Sequence, residues 1–342
     1  MLLTLHSSLR SLACAARSPF VSVIALVLLT TACSAPPPRS TPAAEHGHLS
    51  VLGNRIVDQH QKPVSLAGPS LFWGNKGWNG DKFFHSDTVS YLKNEWHAGI
   101  IRVAMGVEEN GGLLHDWNGR MAKIRPVIEA AVAEGLYVII DWHSHHAEDH
   151  PEEAKRFFRE IASVYGQHAN VIYEIYNEPL QDTDWSTVIK PYAESVITAI
   201  REIDPDNIIV VGTQSWSQDV DKAADDPITG FTNIAYALHF YAGTHKQELR
   251  DKAEYAMNKG LALMVTEWGS VAADGDGEVD AAETQRWMEF LRKHNLSHCN
   301  WAFNNKDESA SIFKPGTDPT GPWGKKDLTE SGRLVKEIIQ NW

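Results

Sequence analysis

The chain has 342 residues, 43% of them hydrophobic and 12 of them tryptophan, enough apolar material for one large globular domain or two small ones. Its formal net charge of -13 argues against a nucleic-acid partner, since phosphate binding demands a basic face, but suits a neutral polymer. Cysteines at 14, 33 and 299 supply no disulfide framework, and Cys299 in HCNWAF reads as a small buried hydrophobe.

Residues 1–33 read as a signal peptide. Arg10 and Arg17 precede an apolar stretch at 20–29, followed by Thr30, Thr31, Ala32 and Cys33. That order matches a charged n-region, a short h-region and a small-residue cleavage site. At roughly ten apolar residues the stretch is too short for a permanent transmembrane helix. Small residues directly before Cys33 resemble a bacterial lipobox, in which Cys33 is lipidated and anchors the chain to a membrane. Thr30 stands where a lipobox usually carries an aliphatic residue, so plain secretion is the alternative. Either route places the protein outside the cytoplasm. Residues 34–45, rich in Pro, Ser and Ala, read as a short extended tether, and the folded domain is expected at 46–342.

Residues 48–64 carry two short apolar runs separated by Gly53 and Asn54, a β-hairpin that could plug one end of a barrel. Apolar strands are predicted at 64–71, 100–104, 136–141, 171–176, 207–212, 234–239, 261–266 and 298–303. Amphipathic helices fall between them at 87–97, 121–134, 152–165, 187–203, weakly near Val220, and at 246–258, 281–294 and 331–341. The strands lack strict alternation, as buried parallel strands do. Eight strand–helix pairs predict an α/β fold, a single-domain (β/α)8 TIM barrel. A doubly wound sheet is the competitor, but no glycine fingerprint for phosphate follows the first strand.

Chemistry in such barrels sits at the carboxyl ends of the strands. There stand Trp73, Arg102, His143, Asn177 with Glu178, Trp216, His239 with Tyr241, Glu267 with Trp268, and Trp301. Two carboxylates at one barrel mouth, Glu178 from VIYEIYNEP and Glu267 from MVTEWG, are what glycosidic cleavage requires. Arg102 is the cation able to keep one of them ionised, with Tyr241 as a hydrogen-bond donor. Tryptophans at strand ends can stack on pyranose rings, although most buried tryptophan is simply core. The histidines of DWHSHHAEDH invite a zinc reading, yet the HxH pattern of metal-dependent amidohydrolases follows the first strand and this one follows the third. His145, His146 and His150 therefore read as loop polars, with no metal and no cofactor. Acids in DGDGEVD at 274–280 resemble a calcium loop but lack its glycine spacing, and read as an exposed turn.

Taken together, IYNEP, TEWG, IRVAM, DWHSH, ALHFYAGTH and KDESAS resemble glycoside hydrolase family 5, subfamily 2, the bacterial endo-β-1,4-glucanases, from about residue 46 to the end. The resemblance implies a (β/α)8 barrel and retaining hydrolysis of internal β-1,4-glucosidic bonds in a β-glucan polysaccharide. It implies Glu178 as acid/base, Glu267 as nucleophile and Asn177 as the partner of the sugar 2-hydroxyl. Arg102 and Tyr241 would orient Glu267, His143 and His239 would line the same subsite, and Trp301 would lie beneath it as a platform. Trp73, Lys306 and Glu308 match positions on the non-reducing side, and Trp216 matches an aromatic on the leaving-group side. Two departures bear on chain-length preference: NWAFNNKDES replaces NWSLSDKDES, so that 302–305 reshape the pocket edge, and Gly106 stands where some relatives carry a tyrosine.

Glu178 is expected to titrate high and Glu267 low. The chain is expected to be a monomer acting on soluble or amorphous glucan, with no carbohydrate-binding module in view. The rivals are a mannanase, licheninase or xyloglucanase on the same barrel, a non-catalytic surface glucan-binding lipoprotein, and a metal hydrolase.

Overall fold

A computed structural model describes residues 40–342, which form one unit; the proposed signal peptide and Cys33 lie outside the described residues. Eight parallel strands close into a barrel: β3 (Ala67–Leu71), β4 (Ile100–Gly106), β5 (Tyr137–His143), β6 (Val171–Glu174), β7 (Ile209–Val211), β8 (Ile234–Tyr241), β9 (Leu263–Gly269) and β10 (His298–Phe303). β10 pairs back onto β3, so no edge is left open. Every residue of these strands is buried. This is the physical reason their sequences run apolar without alternation.

Helices α2 (Ser86–Trp96), α3 (Trp117–Glu134), α4 (Pro151–Tyr165), α5 (Lys190–Arg201), α7 (Val220–Asp225), α8 (Gln247–Asn258), α9 (Ala281–His294) and α10 (Glu330–Gln340) follow the strands in turn, with a single turn α6 (Gln214–Ser217) before α7. The predicted start of α3 at 121 is four residues late, because Asp116 caps the helix by accepting the Gly119 N–H. Side chains two apart along a strand share a face. Ile101 and Val103 of β4 accordingly join the large apolar layer between barrel and helices, whereas Ile100 joins Ile139, Ile172, Met264 and Cys299 inside the barrel.

The hairpin forms as expected, β1 (Ser50–Leu52) against β2 (Arg55–Val57). Leu49, Ile56 and Val51 pack onto the interior residues at the amino ends of the strands and plug the barrel there. The tether reading of 34–45 fails at its end: Pro42–His46 form a short helix α1, capped by Thr41 and tied to the barrel through Ala43 N–H to Gly135 O at 3.0 Å. Residues 302–305 are buried rather than lining a pocket edge, and Phe303 packs among Phe83, Phe313 and Trp323. Gly106 likewise faces Asn75, whose side chain lies 2.8 Å from where a Cβ would stand.

Two glycines make opposite demands. At Gly68 an added Cβ would lie 1.6 Å from the Ile100 carbonyl oxygen on the neighbouring strand, a collision with backbone. At Gly53, in the hairpin turn with φ +61°, nothing lies within 4 Å. Gly68→Ala is therefore expected to cost about 3 kcal/mol or to abolish folding, and Gly53→Ala only about 1 kcal/mol, read as displaced midpoints in urea unfolding.

Candidate active site

Inward-facing positions on neighbouring strands carry the charges of the site. Ile139 and Asp141 of β5 stand in register with Ile172 and Glu174 of β6, and on the other side Arg102 and Ala104 of β4 stand beside Ile139 and Asp141. At the middle level Arg102 is wholly buried, bonded to Glu174, Glu267 and Asn177 and ion-paired with Asp141. Nε and Nη2 grip Glu174 at 2.7 and 3.1 Å, Nη1 meets Glu267 Oε2 at 2.9 Å, and Nη2 also reaches Asn177 Oδ1 at 2.6 Å and Asp141 Oδ2 at 2.9 Å. Burial opposes the arginine's charge, but Asp141, Glu174 and Glu267 more than offset it and hold its pKa well above the ordinary value. Burial pushes Glu174 up too, yet Arg102 and His239 overcome that and keep it below the ordinary carboxylate range.

The two predicted carboxylates converge above this level. Glu267 accepts from Arg102 on Oε2 and from Tyr241 Oη on Oε1 at 2.8 Å. Glu178 faces His239, whose Nδ1 lies 2.9 Å from its Oε1, while His239 Nε2 meets Thr266 Oγ1 at 2.8 Å. An oxygen of Glu178, a nitrogen of His239 and an oxygen of Glu267 all lie within 4.8 Å of one another. Among the described residues this is the one trio of such side chains close enough to share an ion, and the HxH histidines are not in it. His143 Nδ1 lies 2.6 Å from Asp141 and His145 Nδ1 lies 3.2 Å from the Glu178 carbonyl, so both rings are tied into the site around the carboxylates.

The titration expectation for Glu267 does not hold. Burial first, and the facing Glu178 second, push its carboxyl above the ordinary value against the pull of His239, Arg102 and Tyr241. Burial would lower His239, but Glu174, 3.7 Å from Nε2, and Glu178, bonded at Nδ1, raise it to about 9, which favours the cation at neutral pH.

Aromatic groups flank the pair. Trp301, 7% exposed, packs on Phe72 at 5.1 Å and lies parallel to His143 at 4.9 Å. Trp73 meets His143 edge-on at 4.2 Å and stacks on Trp78 at 5.6 Å. Lys306 pairs with Glu308 at 2.6 Å and stands over the Phe72 and Trp78 rings, so the residues predicted for the non-reducing side do assemble together. Trp216, 40% exposed, borders a cavity of about 460 Å³ that reaches Glu178, Glu267, His245 and Asp274, and it lines a second cavity together with Trp73 and His145. Asp274 and Asp276 spend carboxylate oxygens on the backbone N–H groups of 276 and 309, forming the expected turn.

Sequence reasoning missed Asp141, Glu174 and Thr266, although a charge inside an otherwise apolar strand, as in VIIDWH and VIYE, is a signal for a buried partner. It also missed Trp78, and it set His145 aside as a loop polar. His145 Nδ1 in fact lies 3.8 Å from Glu178 Oε2, the oxygen that His239 does not hold.

The raised pKa of His239 makes a stability prediction. A cation whose folded pKa exceeds its unfolded value stabilises the fold fully below the unfolded pKa and loses that contribution as pH rises through the folded one. Stability is expected to fall between pH 6.5 and about 9, by on the order of 3 kcal/mol at most, and the fall should be missing from thermal melts of His239→Gln.

The sequence profile described as cellulase, glycosyl hydrolase family 5, matches residues 57–307. Endoglucanase Z of Dickeya dadantii is 56% identical over 294 residues, covering 86% of this chain and 66% of its own length. An endoglucanase of Clostridium saccharobutylicum is 45% identical over 296 residues, covering 86% and 65%. The chain thus spans just under two thirds of the length of these curated relatives. A solved structure from Cytophaga hutchinsonii superimposes with a TM-score of 0.85 at 49% identity, covering 88% of this chain and 97% of that one. The catalytic domain of Thermobifida fusca endoglucanase Cel5A, solved with cellotetraose, gives 0.82 at 33% identity, covering 88% and 100%. With the profile spanning most of the barrel and the fold shared throughout, the chain belongs to glycosyl hydrolase family 5.

Proposed function

We propose that the protein is an endo-acting, retaining β-1,4-glucanase with Glu267 as nucleophile and Glu178 as acid/base. The observation that carries this is the approach of their oxygens to within 4.8 Å. Retaining glycosidases hold their carboxyls about 5–5.5 Å apart, and inverting ones roughly 6.5–9.5 Å, to make room for a water.

In the first step a Glu267 oxygen bonds to the anomeric carbon as the bond to the leaving oxygen breaks, and Glu178 gives that oxygen its proton. In the second, Glu178 takes a proton from water, the water oxygen displaces Glu267, and the configuration is restored. Arg102 and Tyr241 hold one Glu267 oxygen each, which aims the carboxylate and favours its anion. Positive charge growing on the sugar favours the same anion, offsetting the upward push of burial.

Asn177 fits its part for a reason internal to the network. Arg102 can only donate, so the oxygen of the Asn177 amide must face it, and the buried Nδ2 is left without a protein partner. A sugar 2-hydroxyl would satisfy that donor. A row of rings on one side of the carboxylates and Trp216 on the other suit an internal bond of an unbranched glucan, and the cellotetraose-bound relative supports glucose units in such a groove.

The same proposal includes export of the chain with Cys33 as a lipid-bearing amino terminus, resting on residues 1–33 alone. Mass spectrometry of the mature protein should find a diacylglyceryl group on Cys33; a bare amino terminus would leave simple secretion.

Azide rescue separates the two catalytic roles. Glu267→Ala should lose about 10⁴-fold or more in kcat on cello-oligosaccharides and yield an α-glycosyl azide from an activated aryl cellobioside. Glu178→Ala should yield the β-azide. The reverse pattern would exchange the assignments.

A further inference from the structure

Ser215, Trp216 and Ser217 hold φ of +60°, +56° and +58°, three consecutive side-chain-bearing residues in the left-handed region. Such a turn persists only where its surroundings over-determine it. Here the surroundings are the segment that carries Glu178. Trp216 N–H donates to Pro179 O at 2.8 Å, Ser215 N–H to Leu180 O at 3.4 Å and Gln214 Nε2 to Gln181 O at 2.6 Å. Ser217, fully buried, donates Oγ–H to Asn177 O at 2.8 Å and accepts the Thr213 N–H at 3.2 Å. Behind the turn, Ser215 Oγ donates to Asp219, itself paired with Lys222 and Lys252. On the far side of the segment, Glu178 N–H donates to Ser144 O at 3.2 Å and the Glu178 carbonyl faces His145.

We infer that Ser217 is a positioning residue whose hydroxyl pins the Asn177–Glu178 peptide to the left-handed turn bearing Trp216, so that the leaving-group-side indole and the acid/base carboxyl form one rigid body. The inference rests on Glu178 being the acid/base. A sugar stacked on Trp216 then has its glycosidic oxygen set against Glu178 by two buried hydrogen bonds, not by the indole alone. Losing the hydroxyl frees both the Asn177 carbonyl and the Thr213 N–H, and misplacement of a proton donor by even an ångström is costly to rate.

The test compares Ser217→Ala and Ser217→Gly with the parent enzyme on two substrates. Glycine removes any objection to the backbone angle and keeps the variant foldable, while both changes remove the hydroxyl. For cellopentaose, whose leaving sugar needs a proton, kcat/KM should fall about 10- to 100-fold in both variants. For 2,4-dinitrophenyl β-cellobioside, whose leaving group departs without one, kcat/KM should stay within about threefold. Parental activity of Ser217→Gly on cellopentaose would overturn the inference, as would equal losses on both substrates, which mark general damage to the site. Glu178→Ala, run alongside, should lose kcat/KM on cellopentaose and keep kcat/KM on the aryl substrate, with its kcat there falling because the second step also needs Glu178. If it keeps cellopentaose instead, the acid/base assignment falls and takes the inference with it.

Discussion

A guanidinium buried at the barrel axis is the interaction on which the rest of this molecule depends. Arg102 has no contact with solvent, and a buried cation costs several kcal/mol unless nearly every donor is matched. Its partners are Glu174 from β6, Asp141 from β5, Glu267 from β9 and Asn177 beyond β6. Asp141 and Glu174 arrive on the neighbouring strands β5 and β6, whereas Glu267 comes from β9 across the barrel. Closure of the sheet therefore completes the site, and a strand slipped by one residue would bury the arginine among apolar groups on the helix side.

From this centre an unbroken run of hydrogen bonds links the two carboxylates proposed for the chemistry. Glu178 meets His239, His239 meets Thr266, Thr266 donates to Glu174 at 2.7 Å, and Glu174 shares Arg102 with Glu267. Burial and the facing carboxylate push Glu267 up, and in the proposed mechanism the charge that the reacting sugar develops favours its anion.

The barrel was legible in the sequence because burial on both faces leaves a plain mark, apolar strands such as VIYE and MVT that run without alternation, spaced by helical stretches. The tips were legible because polar residues end those runs, so Glu178, Glu267, His143 and His239 could be placed before any coordinates. What stayed hidden depends on partners distant in sequence. Nothing local to Glu174 or Asp141 says which cation they meet, and His145 comes to Glu178 only through the geometry of two neighbouring loops. Residues 302–305 were misplaced for a related reason: a polar-looking segment after a strand reads as a rim, yet Phe303 finds an aromatic cluster built from Phe83, Phe313 and Trp323. Pro42–His46 read as tether because five residues carry too little periodicity to announce a helix.

The cleft is unequal at its two ends, and the inequality suits a two-step displacement. On the side of Trp301 the rings are packed against one another and against His143, so that a sugar held there meets surfaces already fixed in place. On the side of Trp216 the indole is 40% exposed and borders an open cavity. In the proposed mechanism the glycosyl group stays bonded to Glu267 while the other half of the chain must leave before water can reach the anomeric carbon. The rings packed around Trp301 give a fixed surface to the sugar that waits as the intermediate, while the departing half meets the partly exposed Trp216. The position of Glu178 between the two ends then serves both steps, since the oxygen it protonates and the water it later deprotonates occupy the same place in turn.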